Sequence, residues 1–222
     1  TAQLNGGGVL PGWLTFDAAT RTFSGTPANA DVGTVSIDVI ADDGNGGTVT
    51  DTFTITVANS NDAPTVANPI PNQNATEDSA FSFAFAANTF ADVDIGDTFT
   101  YSAAGLPAWL TFDAGTRTFS GTPANANVGT VAITVRATDS GGAFVEDSFN
   151  ITVANSNDAP TVANPIPNQN ATEDSAFSFA FAANTFNDVD AGATLSYTAQ
   201  LNGGGVLPGW LTFDAATRTF SG

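Results

Sequence analysis

Apolar residues alternate with polar ones at a period of two along most of the chain. Phe81, Phe83 and Phe85 alternate with Ser82, Ala84 and Ala86. Val131, Ile133 and Val135 alternate with Ala132, Thr134 and Arg136, and the pattern returns at Phe149, Ile151, Val153 and at Phe53, Ile55, Val57. Side chains on a strand point to opposite faces in turn, so this period predicts strands with one face in a core. Gly-, Pro-, Asn- and Asp-rich clusters such as GTPANANVG, DSGG, DDGNGG and LNGGG fall between the strands and read as turns. No stretch keeps a helical period. The pattern predicts strands near 65–70, 79–88, 98–104, 109–113, 117–120, 130–138 and 143–154. Seven short strands in about 100 residues predict an Ig-like β-sandwich. Prolines 64, 69 and 71 confine the first strand to an edge, where a missing N–H donor is harmless.

The pattern repeats. Residues 61–90 recur unchanged at 157–186, and WLTFDA begins at Trp13, Trp109 and Trp210. The first two tryptophans are 96 residues apart (109 − 13) and the next two 101 (210 − 109). The five extra residues lie in one loop, where YTAQLNGGGVLPGW at 197–210 replaces YSAAGLPAW at 101–109. Residues 1–25 are identical to 198–222, so a long-loop and a short-loop module alternate. The expected organisation is the C-terminal part of a long-loop module at 1–60, a complete short-loop module at 61–156 and the N-terminal part of a long-loop module at 157–222. The chain then reads as a window on a longer tandem array.

Composition narrows the chemistry. The chain carries 22 acids against four arginines and has no Lys, His, Cys or Met, for a net charge of −18. Thiolate and histidine chemistry, Schiff bases, disulfides and Lys–Asn isopeptide staples are therefore excluded. Four scattered arginines cannot build a nucleic-acid face. No apolar run approaches the ~20 residues of a membrane span. Eighteen Phe residues nevertheless set the chain apart from acidic disordered segments, so it can bury cores.

The acids cluster at repeated stations. Asn59, Asn61 and Asp62 lie in the linker before the central module, and Asn155, Asn157 and Asp158 in the next. Asp92 and Asp94 form a D-x-D after the second strand, repeated as Asp188 and Asp190; Asp139, matched by Asp43, lies between the last two strands. In a sandwich these three segments meet at one pole. Converging oxygen ligands without nitrogen or sulfur suit a hard cation, and Ca2+ takes 6–8 of them. Asp and Asn are also ordinary turn residues.

The motifs NDAP, F-x-D-V-D-x-G, LPxWLTFD, TRTFSGTP, VxATDxGG and FxITVAN together resemble the dystroglycan-type cadherin-like domain. That family overlaps the Ig-type modules arrayed in bacterial surface and repeat-in-toxin adhesins. The resemblance covers the whole chain and implies tandem seven-stranded cadherin/Ig-like sandwiches that bind Ca2+ at module junctions. It implies ligands Asn59, Asn61, Asp62, Asp92, Asp94 and Asp139 at the first junction, and Asn155, Asn157, Asp158, Asp188 and Asp190 at the second. Glu77 would serve the second junction and Glu173 the one beyond; Asp43 and Asp31 are further candidates. The family's linker usually begins with Asp where Asn59 and Asn155 stand. Its acidic triplet before the sixth strand is reduced to Asp31, whose equivalent is Asn127.

The implied function is structural: a calcium-stiffened extender or filament shaft of a prokaryotic cell-surface adhesin, outside the cell, packed against neighbouring modules or identical chains. Each module would be about 40 Å long, from strands of ~10–12 residues at ~3.3 Å each plus loops. The alternative is that the modules bind glycans or self-associate in cell–cell or biofilm adhesion, with Leu201–Val206 as the candidate surface. The three tryptophans could offer sugar platforms, but a fixed position between Pro and Leu-Thr-Phe favours packing. Paired carboxylates can also hydrolyse glycosides. Their two-residue spacing and their recurrence in every module count against an enzyme. The triplets at Asn74, Asn150 and Asn170 fit the glycosylation sequon, and in an Asn- and Thr-rich chain chance explains them as well.

Overall fold

The computed structural model describes residues 1–222. Strands β1 to β5 (Ala2–Leu4, Leu14–Asp17, Thr22–Gly25, Gly33–Asp42, Thr48–Val57) form the first repeat. The central repeat contains β6 to β14: Thr65–Val66, Gln73–Thr76, Phe81–Ala84, Phe90–Ala91, Thr100–Ala104, Leu110–Asp113, Thr118–Gly121, Gly129–Thr138 and Phe144–Ala154. The third holds β15 to β19: Thr161–Val162, Ser178–Ala180, Phe186–Asn187, Thr212–Asp214 and Thr219–Ser221. The only helical pieces are two 3-10 turns, Asn29–Asp31 and Asn125–Asn127.

The central repeat is a sandwich of a four-stranded sheet, β10-β13-β14-β7, and a three-stranded sheet, β11-β12-β8. The long β13–β14 ladder pairs Ile133 with Phe149 and Val131 with Ile151. Alternation puts Ile133, Val135 and Ala137 of β13 and Phe149, Ile151 and Val153 of β14 into one core with Leu110 and Phe119 of the facing sheet. Phe119 joins the sheets edge-to-face with Phe149 at 5.4 Å between ring centroids. Trp109 packs edge-to-face on Phe81 at 6.0 Å, and a Cβ on Gly121 would fall 1.9 Å from the Trp109 carbonyl oxygen. The tryptophan is thus a packing residue, partly exposed, that requires glycine beside it.

Two expected strands are corrected. The segment expected at 65–70 is β6 alone, paired antiparallel with β9. The chain then leaves that ladder through Asn68 and Pro69 and enters the four-stranded sheet as β7, parallel to β14. Prolines 69 and 71 break the ladder because they have no N–H to give it. The strand expected at 79–88 is shortened to β8, and a turn in which Thr89 N–H donates to the Ala86 carbonyl at 3.2 Å leads into β9 beyond it. The crossing matters for the site: the β7–β14 ladder continues into a bond from Glu77 N–H to the Ala154 carbonyl, 3.1 Å long. Glu77 is thereby placed beside the linker that leaves the central repeat.

The flanking repeats carry the same ladders with fewer strands. β4 and β5 repeat β13 and β14 residue for residue in register, Ile37 facing Phe53. The third repeat has no counterparts of β13 and β14 among its residues. Ile166 is accordingly 41% exposed where its counterpart Ile70 is 5%. An open apolar hollow of about 470 Å³ lies between Ile166, Phe181, Tyr197, Phe213 and Phe220.

Candidate metal centre at the repeat junctions

At the boundary between the central and third repeats, four segments meet. Asp158 N–H donates to Asp190 Oδ2 at 3.0 Å, and Asp190 N–H donates to Asp188 Oδ1 at 3.0 Å. From the central repeat, Asn125 Nδ2 donates to Asp158 Oδ2 at 2.8 Å. Glu77, fully buried, accepts the Ser156 N–H on Oε1 at 2.7 Å. Carboxylate oxygens of Glu77, Asp158 and Asp190 lie within 4.8 Å of one another.

The preceding junction is built alike. Asp62 N–H donates to Asp94 Oδ2 at 2.8 Å, and Asp94 N–H to Asp92 Oδ1 at 2.9 Å. Asn29 Nδ2 donates to Asp62 Oδ2 at 2.8 Å. Asn61 Nδ2 donates to Asp139 Oδ2 at 3.0 Å, tying the linker to the β13–β14 loop. A Cβ on Gly141 would lie 1.9 Å from Asn61 Oδ1, so only glycine lets that loop close on the linker. Asp92 and Asp94 also gather with Asp97, all within 4.8 Å.

The expected residues therefore divide. The fold brings together Asn61, Asp62, Asp92, Asp94 and Asp139 at one pole, and Glu77, Asp158, Asp188 and Asp190 at the next; Asn157 donates to the Asp158 carbonyl at 3.0 Å. Asn59 and Asn155 lie exposed in their linkers. Asp31 spends a carboxylate oxygen on the Ala28 N–H, closing the 3-10 turn as Asn127 does for Ala124. Asp43 accepts from Asn45 and Gly47 N–H groups inside its own loop, which holds its carboxyl below the usual value. Glu173 is exposed, beside Trp210.

Three participants lie outside the expected set. Asn29 and Asn125 sit in the GTPAN turn, where asparagine reads as turn chemistry. Asp97 has no acidic counterpart, since Ala193 occupies its station. The signal for Asp97 was its place three residues after D-x-D.

The electrostatics are lopsided. The chain's single ion pair joins Arg136 to Glu146 at 2.7 Å, so no clustered carboxylate has a salt-bridge partner. Buried carboxylate oxygens without a hydrogen-bond partner are Glu77 Oε2 and Asp190 Oδ1 at the second junction, and Asp92 Oδ2, Asp94 Oδ1 and Asp97 Oδ2 at the first. Carboxylate oxygens within 4.8 Å of one another repel when ionised, and burial strengthens that repulsion. Orphaned acceptors without a nearby cation, in an all-oxygen donor set, fit a hard divalent ion.

The family model described as "Putative Ig domain" matches residues 1–58, 63–154 and 159–222. The chain belongs to that family. Its Putative Ig domains are 36% identical over 140 residues, 63% of this chain and 10% of the relative, to a "Serine-rich adhesin for platelets" of Staphylococcus aureus strain MRSA252. The corresponding adhesin of strain USA300 is 35% identical over the same length. The chain spans about a tenth or less of the length of these curated relatives. Among solved structures, protocadherin gamma B7 extracellular cadherin domains 1–4 match all of this chain and 57% of theirs, at 17% identity and a TM-score of 0.55. Domains 3–6 of protocadherin gamma B7 match 99% of this chain and 59% of theirs, at 14% identity and a TM-score of 0.54. Those likenesses are of fold: tandem all-β sandwiches of cadherin type. No helix is long and apolar enough to cross a membrane.

Proposed function

We propose that this chain is an extender segment of a cell-surface adhesin, whose Putative Ig domains are held in line by Ca2+ at their junctions. The buried Glu77, reaching across the boundary toward Asp158 and Asp190, carries this reading. A cation held there would bond both repeats at once and cancel repulsion that otherwise pushes them apart. Glu77, Asp158, Asp190 and the amide oxygen of Asn125 would hold it at the second junction. Asp62, Asp92, Asp94 and Asp139 would serve at the first. The ion's part is to neutralise and to fix an angle, and the role is mechanical rather than catalytic. The adhesin relatives support a setting on an extracellular prokaryotic surface. Repeat boundaries at 60/61 and 156/157 put each linker Asp at the entry of the repeat it serves.

Small-angle X-ray scattering with Ca2+ and then with EDTA tests the proposal. A larger and narrowly defined maximum dimension in Ca2+, collapsing to a broad distribution in EDTA, is expected. The same distance distribution in both conditions would overturn it.

A further inference from the structure

The first junction contains something that the second lacks. Asp92, Asp94 and Asp97 lie together inside the short-loop repeat, with no contribution from its neighbour. Each commits one oxygen to the protein and leaves the other without a partner. Asp92 Oδ1 accepts the Asp94 N–H at 2.9 Å, and Asp94 Oδ2 accepts the Asp62 N–H at 2.8 Å. Asp97 Oδ1 accepts the Ser140 hydroxyl across from the β13–β14 loop, and its backbone N–H donates to the Asp94 carbonyl at 3.3 Å. Asp92 Oδ2, Asp94 Oδ1 and Asp97 Oδ2 are all buried and unpartnered, and Asp94 is only 7% exposed. Three carboxylates, each pinned by one oxygen and each presenting the other, form an orienting shell rather than a chance surface cluster.

Each flanking repeat lacks one part of this shell. Ala193 stands at the station of Asp97. The first repeat is of the same long-loop type as the third, because residues 1–25 and 198–222 are identical, and there Gly44 stands where Ser140 does. The carboxylate and the hydroxyl that holds it are present together in the central repeat, while the third repeat lacks the one and the first repeat lacks the other. Ser140 has no other side-chain hydrogen bond to explain it.

We propose that Asp92, Asp94 and Asp97 hold a Ca2+-sized divalent cation belonging to the short-loop repeat alone, so that successive junctions along the array carry different numbers of ions. This rests on the calcium reading above. Asp97 is a ligand and Ser140 its positioning residue. A tandem array would then alternate more and less heavily pinned joints, each recurring once per pair of modules.

Calcium binding to the 222-residue chain by equilibrium dialysis and calorimetry tests this, comparing Asp97→Ala with Asp113→Asn, a carboxylate outside both clusters. Asp97→Ala introduces the side chain that the long-loop repeat already carries at that station, so the fold accommodates it. The double variant Asp97→Ala/Ser140→Gly rebuilds the long-loop pair and guards against a local defect in the single one. Both should lose one bound ion per chain, or weaken one class of sites by roughly tenfold or more, since affinity follows ligand charge count. Asp113→Asn should match the unaltered chain. An unaltered chain that binds no calcium overturns the calcium reading itself. A chain that binds calcium with the same number and affinity after Asp97→Ala keeps that reading and overturns only this inference.

Discussion

Asn125 and Asp158 belong to different repeats, yet the asparagine amide donates to the aspartate Oδ2 at 2.8 Å. Asn29 and Asp62 make the same bond at the same length one junction earlier. Both asparagines open a 3-10 turn of the preceding repeat, so a turn within one sandwich also grips the linker into the next. A hydrogen bond to a charged acceptor contributes about 1–2 kcal/mol when partly shielded from water. Asn125→Ala should therefore loosen the second junction even in EDTA. Scattering should show a wider spread of inter-repeat distances, with the melting of the central repeat little changed.

Glu77 gives an effect that changes sign with calcium. It is fully buried, with one oxygen bound to Ser156 N–H and the other unpartnered. Glu77→Gln keeps the shape and removes the charge that repels Asp158 and Asp190. In EDTA the variant should be more stable by about 1–3 kcal/mol, from relief of that repulsion. In calcium it should be less stable than the unaltered chain, because a charged ligand is gone. Thermal unfolding with and without calcium checks both halves; a fall in both conditions would mark Glu77 as a packing residue only.

The core makes a more ordinary demand. Phe119 is fully buried between Phe112, at 4.6 Å, and Phe149. Phe119→Ala should cost about 3–5 kcal/mol through lost burial and the cavity left behind. Urea denaturation of the central repeat measures it.

Three aspartates predict a pH dependence separate from the metal sites. Asp17, Asp113 and Asp214 each bind backbone N–H groups of their own hairpin turns. Thr20 leads in lowering the carboxyl of Asp17, the Thr116 N–H that of Asp113, and Thr217 that of Asp214, each from 3.8. A folded pKa below the unfolded one means that the ionised form favours folding. Their contribution is complete above the unfolded value and is lost as pH falls through the lowered folded one. Melting in EDTA between about pH 5 and pH 2.5 should show the loss, and Asp113→Asn should make it shallower.

The strands of the four-stranded sheet were legible in the sequence because Ile133, Val135, Phe149 and Ile151 alternate without interruption and each register step is fixed by which face meets the core. The split of the first strand was not. Prolines 69 and 71 announced an edge, but an edge strand that changes sheets looks the same in one dimension as one that stops. The meeting of the linker, the D-x-D loop and the β13–β14 loop was also legible, since sandwich topology alone puts them at one pole. Which atoms touch there was not, because Asn29 and Asn125 look like turn residues until a neighbouring repeat is set beside them.

The sequence by itself determined the period-two strands, the alternation of two module types, the acidity and the absence of every nitrogen, sulfur or lysine alternative to an oxygen-bound cation. Those are properties of composition and spacing, which need no third dimension. Only the tertiary structure decided that Glu77 is buried against the next repeat, that Asp97 is held by Ser140, and which carboxylate oxygens are left without a partner. Such facts depend on segments 43 to 113 residues apart, as between Asp97 and Ser140 and between Glu77 and Asp190, arriving at the same few ångströms. The closure of one sandwich brings Asp97 to Ser140, and the packing of two sandwiches end to end brings Glu77 to Asp190.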